Sequence, residues 1–201
     1  MLTRDLLADL SGRYPGLRLP TVLLLDGALS AERCRGLRQR IDEGAPAIAP
    51  ISTGRGFELR PELRNNERVI FDDPGLGLEL FQVLEGEVPS RLRLRDERCE
   101  VSACGLNERF RGYRYSPGQR FGPHFDGAYA RSAEERSELT VLFYLNDGFV
   151  GGATRFLDLQ LEVPPKQGQA LIFTHAVLHE GAMVEQGTKY VLRSDVMYRR
   201  T

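Results

Sequence analysis

The residues best able to do chemistry in this chain are His124-Phe125-Asp126, then His179, then Lys189. Two imidazoles and one carboxylate on one face of an octahedron form the arrangement of non-haem Fe(II), which leaves three positions open for a bidentate co-substrate and for O2. Zinc sites keep less vacancy, so this set points to oxygen chemistry. Lys189 adds a cation ten residues beyond His179. Its ammonium is expected a few ångströms beyond the metal, where it can pair with the far end of a dicarboxylate.

The spacing has a mechanical reason. In a strand, residues two apart point the same way, so His124 and Asp126 can grip one ion while Phe125 faces the other side. The third ligand must then come from a later strand that folds back across the first. The second half of the sequence is built for this. Segments near 98–104, 109–115, 121–126, 138–146, 153–157, 159–163, 169–174 and 189–198 are short, rich in β-branched or aromatic residues, and separated by Gly, Pro, Asn and Asp. Eight such strands predict a jelly-roll-type barrel. Leu139-Thr-Val-Leu-Phe-Tyr-Leu145 is nearly all apolar, as expected of a central strand covered on both faces.

The first half reads differently. Residues 2–11 are expected as a short amphipathic helix, and Thr21–Leu25 as a buried strand ended by Asp26-Gly27. Ser30 is the N-cap expected for a helix in which Cys34, Leu37 and Ile41 recur at helical spacing until Gly44. Asp73-Pro74 opens a second helix carrying Leu76, Leu80, Phe81 and Leu84. The expectation is one α+β domain over 1–201, with a mainly helical part at 1–97 packed on one sheet of a β-helix core at 98–201.

At 201 residues the chain can bury an ordinary core without a metal staple. Its 27 Lys and Arg against 28 Asp and Glu leave a net charge of −1, so no bulk field favours nucleic acid or a membrane surface. The first residues hold no apolar h-region, and no window approaches eighteen apolar residues, so a soluble, unexported, cytoplasmic protein is expected. Cys34, Cys99 and Cys104 have no C-x-x-C spacing and suit a reducing compartment, as ordinary core or surface thiols.

Six blocks carry a family resemblance. They are Tyr115-Ser-Pro-Gly-Gln-Arg-Phe-Gly-Pro-His124-Phe-Asp126, Leu142-Phe-Tyr-Leu-Asn146, Gly151-Gly-Ala-Thr-Arg-Phe156, Val163-Pro-Pro-Lys-Gln-Gly-Gln-Ala-Leu-Ile-Phe173, Leu178-His-Glu-Gly181 and Gly187-Thr-Lys189. In this order they resemble the catalytic domain of the prolyl 4-hydroxylases among the Fe(II)/2-oxoglutarate oxygenases, over roughly residues 98 to 199. The resemblance implies a double-stranded β-helix, Fe(II), 2-oxoglutarate as co-substrate, O2, ascorbate as an accessory, and hydroxylation of an unactivated C–H bond in a prolyl or other side chain of a protein or peptide, with a free amino acid or natural-product intermediate as the alternative substrate. A halogenase would give up the carboxylate ligand, and Asp126 is present. A metal-binding sensor module without turnover is the competing class.

On this reading His124, Asp126 and His179 hold the iron. His175 is the alternative distal ligand, but four extended residues span roughly 13 Å, so it cannot share an ion with His179 on one strand; on a helix it could. His179 is chosen because Glu180-Gly181 and Lys189 follow it as in the family, which leaves His175 beside the site or on the surface. Lys189 anchors the co-substrate with Tyr115 assisting. Arg193 is the rival, since Lys189, Val191 and Arg193 share a strand face and arginine is the better bidentate partner for a carboxylate. Thr154 and Asn146 stand open between ligand contact and turn chemistry. Arg64, Asn65, Asn66 and Arg68 form a polar cluster before Val69-Ile-Phe71, open between the mouth of the cleft and an exposed loop, with the loop preferred.

Overall fold

The computed structural model describes residues 3–9, 20–53, 56–93 and 100–200. In chain order its elements are β1 (Thr3–Asp9), β2 (Pro20–Asp26), α1 (Ala31–Glu43), β3 (Ala47–Ile48), β4 (Ile51–Thr53), β5 (Gly56–Glu58), β6 (Glu67–Asp72), α2 (Pro74–Leu84), β7 (Arg91–Arg93), β8 (Glu100–Leu106) and β9 (Arg109–Tyr115). They continue with β10 (Phe121–His124), β11 (Glu135–Tyr144), β12 (Val150–Gly151), β13 (Thr154–Phe156), β14 (Leu161–Val163), β15 (Ala170–Thr174), β16 (His179–Gly181), β17 (Val184–Gln186) and β18 (Lys189–Arg200).

Both helices start where their caps are. Ser30 Oγ accepts from the Arg33 amide at 3.1 Å, and Asp73 Oδ1 accepts from the Leu76 amide at 2.9 Å, each satisfying a donor that the first turn leaves free. Pro74 sits at the start of α2, where its missing N–H costs nothing.

Strand pairing makes one large sheet in the order β1-β2-β15-β11-β18-β9-β6-β3, with β8 on the far end of β18 and β7 on β8. A smaller sheet runs β10-β16-β13-β14. β11 separates two cores. Leu139, Val141 and Phe143 join a buried cluster with Cys34, Leu37 and Ile41 of α1 and Leu76, Leu80 and Leu84 of α2. Tyr144 joins a second cluster with Tyr113, Tyr115, Phe156, Phe173 and Val191, drawn from both sheets. Full burial on both faces accounts for the apolar run through β11. Gly112 lets α1 approach β9: a Cβ there would lie 2.5 Å from Ile41 Cγ1.

Three expectations are corrected. Residues 3–9 are not helical; they form β1, paired antiparallel with β2. A helix of ten residues is marginal by itself, and the edge of β2 offers the same backbone groups a full ladder. The first half is therefore not mainly helical, since α1 and α2 alternate with strands β1 to β7, and the fold is mostly β instead of α+β. β12, β16 and β17 are also additional to the expected strands, being too short for any period to show. Residues 2, 10, 11, 98 and 99, and with them Cys99, lie outside the described residues; Cys34 is buried and Cys104 exposed. Among the described residues, no helix is long and apolar enough to cross a membrane.

Candidate metal and co-substrate site

The smaller sheet brings the two histidines together. β10 and β16 pair with His124 opposite His179, and their rings lie 4.2 Å apart between centroids. Each ring is oriented by a carbonyl of its own chain: Nδ1 of His124 donates to Gly122 O at 2.8 Å, and Nδ1 of His179 to Val177 O at 3.0 Å. That leaves both Nε2 lone pairs facing inward. β10 ends at His124, and Asp126 lies two residues on, in the irregular segment that follows. Its carboxylate still points to the same side, 3.8 Å from His124 Nε2 and 3.6 Å from His179 Nε2, while Phe125 is exposed. The ligand atoms of the three lie within 4.8 Å of one another.

Electrostatics suit a divalent cation. Burial drives His124 down to about 3, helped by His179, and lowers His179 as well, so both rings are neutral with a free lone pair. Burial opposes ionisation of Asp126, but the Arg193 guanidinium, aided by the hydrogen bond from Thr140, outweighs it and holds the carboxyl well below its usual range. A hard carboxylate and two imidazoles are a donor set that fits Fe(II).

The Asp126 carboxylate is also held from behind. Thr140 Oγ1 donates to Asp126 Oδ2 at 2.7 Å and so accepts from Nδ1–H of His175 at 3.0 Å. Nε2 of His175 then accepts from Ser137 Oγ at 2.9 Å. His175, in the turn after β15, is thus buried and reaches Asp126 through Thr140. Thr140→Val removes this donor while keeping the shape. Partners of metal ligands typically contribute 10–100-fold to metal affinity, so a loss of about that size is expected in a chelator competition; unchanged affinity would contradict it.

β9, β11 and β18 supply the opposite wall at alternate positions. Lys189 pairs in register with Tyr115, Val191 with Tyr113, and Arg193 with Arg111. One pocket is lined by Lys189, Tyr115, Thr154 and Arg193 together with His124, Asp126 and His179. Within it the two cations differ. Arg193 Nη2 contacts Asp126 Oδ1 at 3.1 Å and Asp195 Oδ1 at 3.0 Å. Lys189 is 2% exposed, and its Nζ donates to Gly152 O at 2.6 Å. Among the described residues no carboxylate pairs with it. The rings of Tyr115 and Tyr144 have their centroids 5.0 and 5.8 Å from its Nζ. Gly152, at φ 67°, permits this approach: a Cβ there would meet Lys189 Cδ at 3.1 Å.

Burial brings the Lys189 ammonium down to about 7. The unfolded chain titrates the same group near 10.4, so between about pH 7 and 10 the unfolded state holds more protons and stability rises with pH. Below pH 7 the burial penalty is fully present. Without a bound carboxylate, Lys189→Met is therefore expected to be more stable than the parent at pH 7, by about 4 kcal/mol at 1.36 kcal/mol per pKa unit. The difference narrows toward pH 10. Denaturant midpoints of both proteins at the two pH values check it, and equal midpoints at pH 7 would exclude it.

Burial raises the Tyr115 phenol, keeping it a neutral donor beside Lys189. Thr154 Oγ1 bonds Tyr144 Oη at 2.7 Å under the same pocket. Asn146 instead ties strand ends, accepting from the Tyr190 amide at 2.7 Å and donating to Thr188 O at 2.7 Å, on either side of Lys189. The Arg64–Arg68 cluster is not an exposed loop: Arg64 and Asn66 are buried, and Arg64 bridges to Phe121. Phe121 stacks on His124 at 3.6 Å.

Several site residues were not singled out from the sequence: Thr140, Tyr113, Tyr144 and Phe121. Thr140 had a signal, being the one polar residue in the apolar run 139–145. Tyr113 had a weaker one, two positions before Tyr115 on the same strand face.

Residues 110–194 match the 2OG-Fe(II) oxygenase superfamily. A putative prolyl 4-hydroxylase of Acanthamoeba polyphaga mimivirus is 34% identical over 39% of this chain and 40% of its own length, so the match spans less than half of that relative. In three dimensions the chain is similar to the viral collagen prolyl hydroxylase of Paramecium bursaria Chlorella virus-1 in its 2OG complex, at 24% identity and TM-score 0.58 over 89% of this chain and 96% of that one. It is also similar to a Trichoplax adhaerens prolyl hydroxylase in complex with a hypoxia inducible factor peptide fragment, at 14% identity and TM-score 0.60 over 88% and 83% of the two chains.

Proposed function

From a chain carrying a prolyl hydroxylase-like 2OG-Fe(II) oxygenase domain, an oxidoreductase of the dioxygenase kind that uses Fe(II), 2-oxoglutarate and O2, we propose a hydroxylase of an unactivated C–H bond in a prolyl or other side chain of a protein or peptide. In this reading the two sheets form a double-stranded β-helix with α1 and α2 against the larger one. The single observation that carries the reading is a buried, carboxylate-free Lys189 facing His124, Asp126 and His179 across one pocket. A cation without a counter-charge in an apolar interior is strongly disfavoured unless a ligand supplies the partner. One carboxylate of 2-oxoglutarate is that partner.

When bound, iron with 2-oxoglutarate and O2 supplies the oxidising power for hydroxylation, with succinate and CO2 as co-products. The chain's own part is placement. His124, Asp126 and His179 fix the metal, and Thr140 and Arg193 fix the two oxygens of Asp126. Lys189, Tyr115 and Thr154 orient the co-substrate. Tyr144, Leu142 and Val191 keep water from its buried end. The prolyl preference is supported by the relatives, one of which is described with a bound peptide. A free amino acid or natural product is the second reading, because fold does not set the substrate.

The test uses the purified chain with Fe(II), ascorbate and 2-oxoglutarate. A visible charge-transfer band under anaerobic conditions, then succinate on admitting oxygen, is the expected result. Iron binding with neither signal would favour a non-catalytic metal-binding module. Products heavier by one oxygen atom, sought by mass spectrometry among peptides and small molecules, identify the substrate.

A further inference from the structure

Beyond the metal ligands, on the side away from Lys189, a second cleft of about 220 Å³ opens to solvent. Arg64, Arg68, Arg111 and Arg193 converge on it, with Ile51 and Phe57 of the β4–β5 hairpin at its edge. The protein's own carboxylates do not balance this charge. Arg193 contacts Asp126 and Asp195, and Arg111 contacts Asp195 Oδ2 at 3.2 Å, so four guanidiniums share two carboxylates. Among the described residues Arg68 has no carboxylate partner. Its charge is disfavoured first by burial and then by Arg64, Arg111 and Arg193, offset in part by Tyr113.

Arg64 gives an independent observation. It is 4% exposed, and its Nε donates to Asn66 Oδ1 at 2.8 Å, while its Nη2 is buried with no acceptor among the described residues. Its guanidinium lies 4.1 Å from the ring of Phe121, which itself stacks on His124. A buried, unsatisfied guanidinium donor costs free energy unless an acceptor arrives. The cleft therefore lacks an anion, and lacks it next to the reacting position.

We propose that this cleft selects a substrate carrying a carboxylate beside the carbon to be hydroxylated, read by Arg64, Arg68 and Arg111. The inference rests on the hydroxylase reading above. A carboxylate is favoured because the fork geometry of arginine matches that planar group, and within the cluster Arg111 and Arg193 already hold one, Asp195. The co-substrate is not the intended anion: Arg64, Arg68 and Arg111 do not line the pocket that contains Lys189. The carboxylate has two sources, an acidic side chain next to the target residue in a peptide, or the carboxyl group of a small acid.

The test is calorimetric titration of protein loaded with Zn(II) and 2-oxoglutarate, which binds without turnover. Two isosteric pairs are compared: acetyl-Asp-Pro-amide against acetyl-Asn-Pro-amide, and N-acetyl-L-proline against N-acetyl-L-prolinamide. At least one acid should bind about tenfold or more tighter than its amide, equivalent to about 1.4 kcal/mol, and the pair that responds identifies the source. Arg68→Gln should erase most of that ratio. Without any variant, rising salt should weaken the acid and leave the amide nearly unchanged. Acids and amides that bind alike, or do not bind, overturn the proposal. So does an Arg68→Gln variant that loses 2-oxoglutarate affinity as much as acid affinity, because the cluster would then serve the co-substrate. Succinate formation with Fe(II) is read separately, so failure of carboxylate selection is distinguishable from failure of the hydroxylase reading.

Discussion

Lys189→Ala is expected to raise the apparent KM for 2-oxoglutarate by roughly two to four decades, since stripping one partner from a buried charge pair costs about 3–5 kcal/mol and a decade is about 1.4 kcal/mol. Fe(II) affinity should hardly change, because Lys189 contacts none of the three ligand residues. Arg193→Ala should do the opposite. Its guanidinium is committed to Asp126 and Asp195, so its removal disturbs a metal ligand and leaves the co-substrate anchor in place. Arginine is intrinsically the better carboxylate partner, and here that preference is already satisfied within the protein. A co-substrate titration of both variants at saturating iron is the measurement. A larger KM increase in Arg193→Ala would mean that the anchor is Arg193.

The second large effect is on metal itself. His124→Ala, Asp126→Ala and His179→Ala should each reduce bound iron from about one per chain to near zero, as two remaining ligands compete poorly with water. His175→Ala should keep most of its iron and lose affinity only by the 10–100-fold typical of a group behind a ligand, because it acts through Thr140. The readouts are iron content after desalting and chelator competition. Iron retained by His179→Ala but lost by His175→Ala would reverse the assignment. Retention by all four would remove the metal site altogether.

The elements whose signals are local were legible. Ser30 and Asp73 announce α1 and α2 because capping is satisfied within a few residues, and the apolar run through β11 shows because double burial removes polar side chains along its length. Tertiary competition decided β1: residues 3–9 could be drawn on a helix face, and the edge of β2 made them a strand. β16 was invisible for another reason. A strand of three residues has no period, yet it carries His179. The Arg64–Arg68 segment looked like a polar loop, and its burial follows from Leu63 O accepting the Gly122 amide at 2.7 Å, a contact between distant parts of the chain.

By itself the sequence determined the chemical set: two imidazoles, a carboxylate and cations at Lys189 and Arg193. The set follows from residue type, a local property, whereas the strand period ends with β10 at His124 and Asp126 is held on the same side from beyond the strand by Arg193 and Thr140. Tertiary structure alone decided which histidine faces His124, which cation is left without a counter-charge, and where four arginines meet. His179 stands opposite His124 by the register of β10 against β16, and Arg193, not Lys189, reaches Asp126 by the position of that carboxylate below β18. Charge compensation is a sum over neighbours that are far apart in the chain, so no window of sequence contains it.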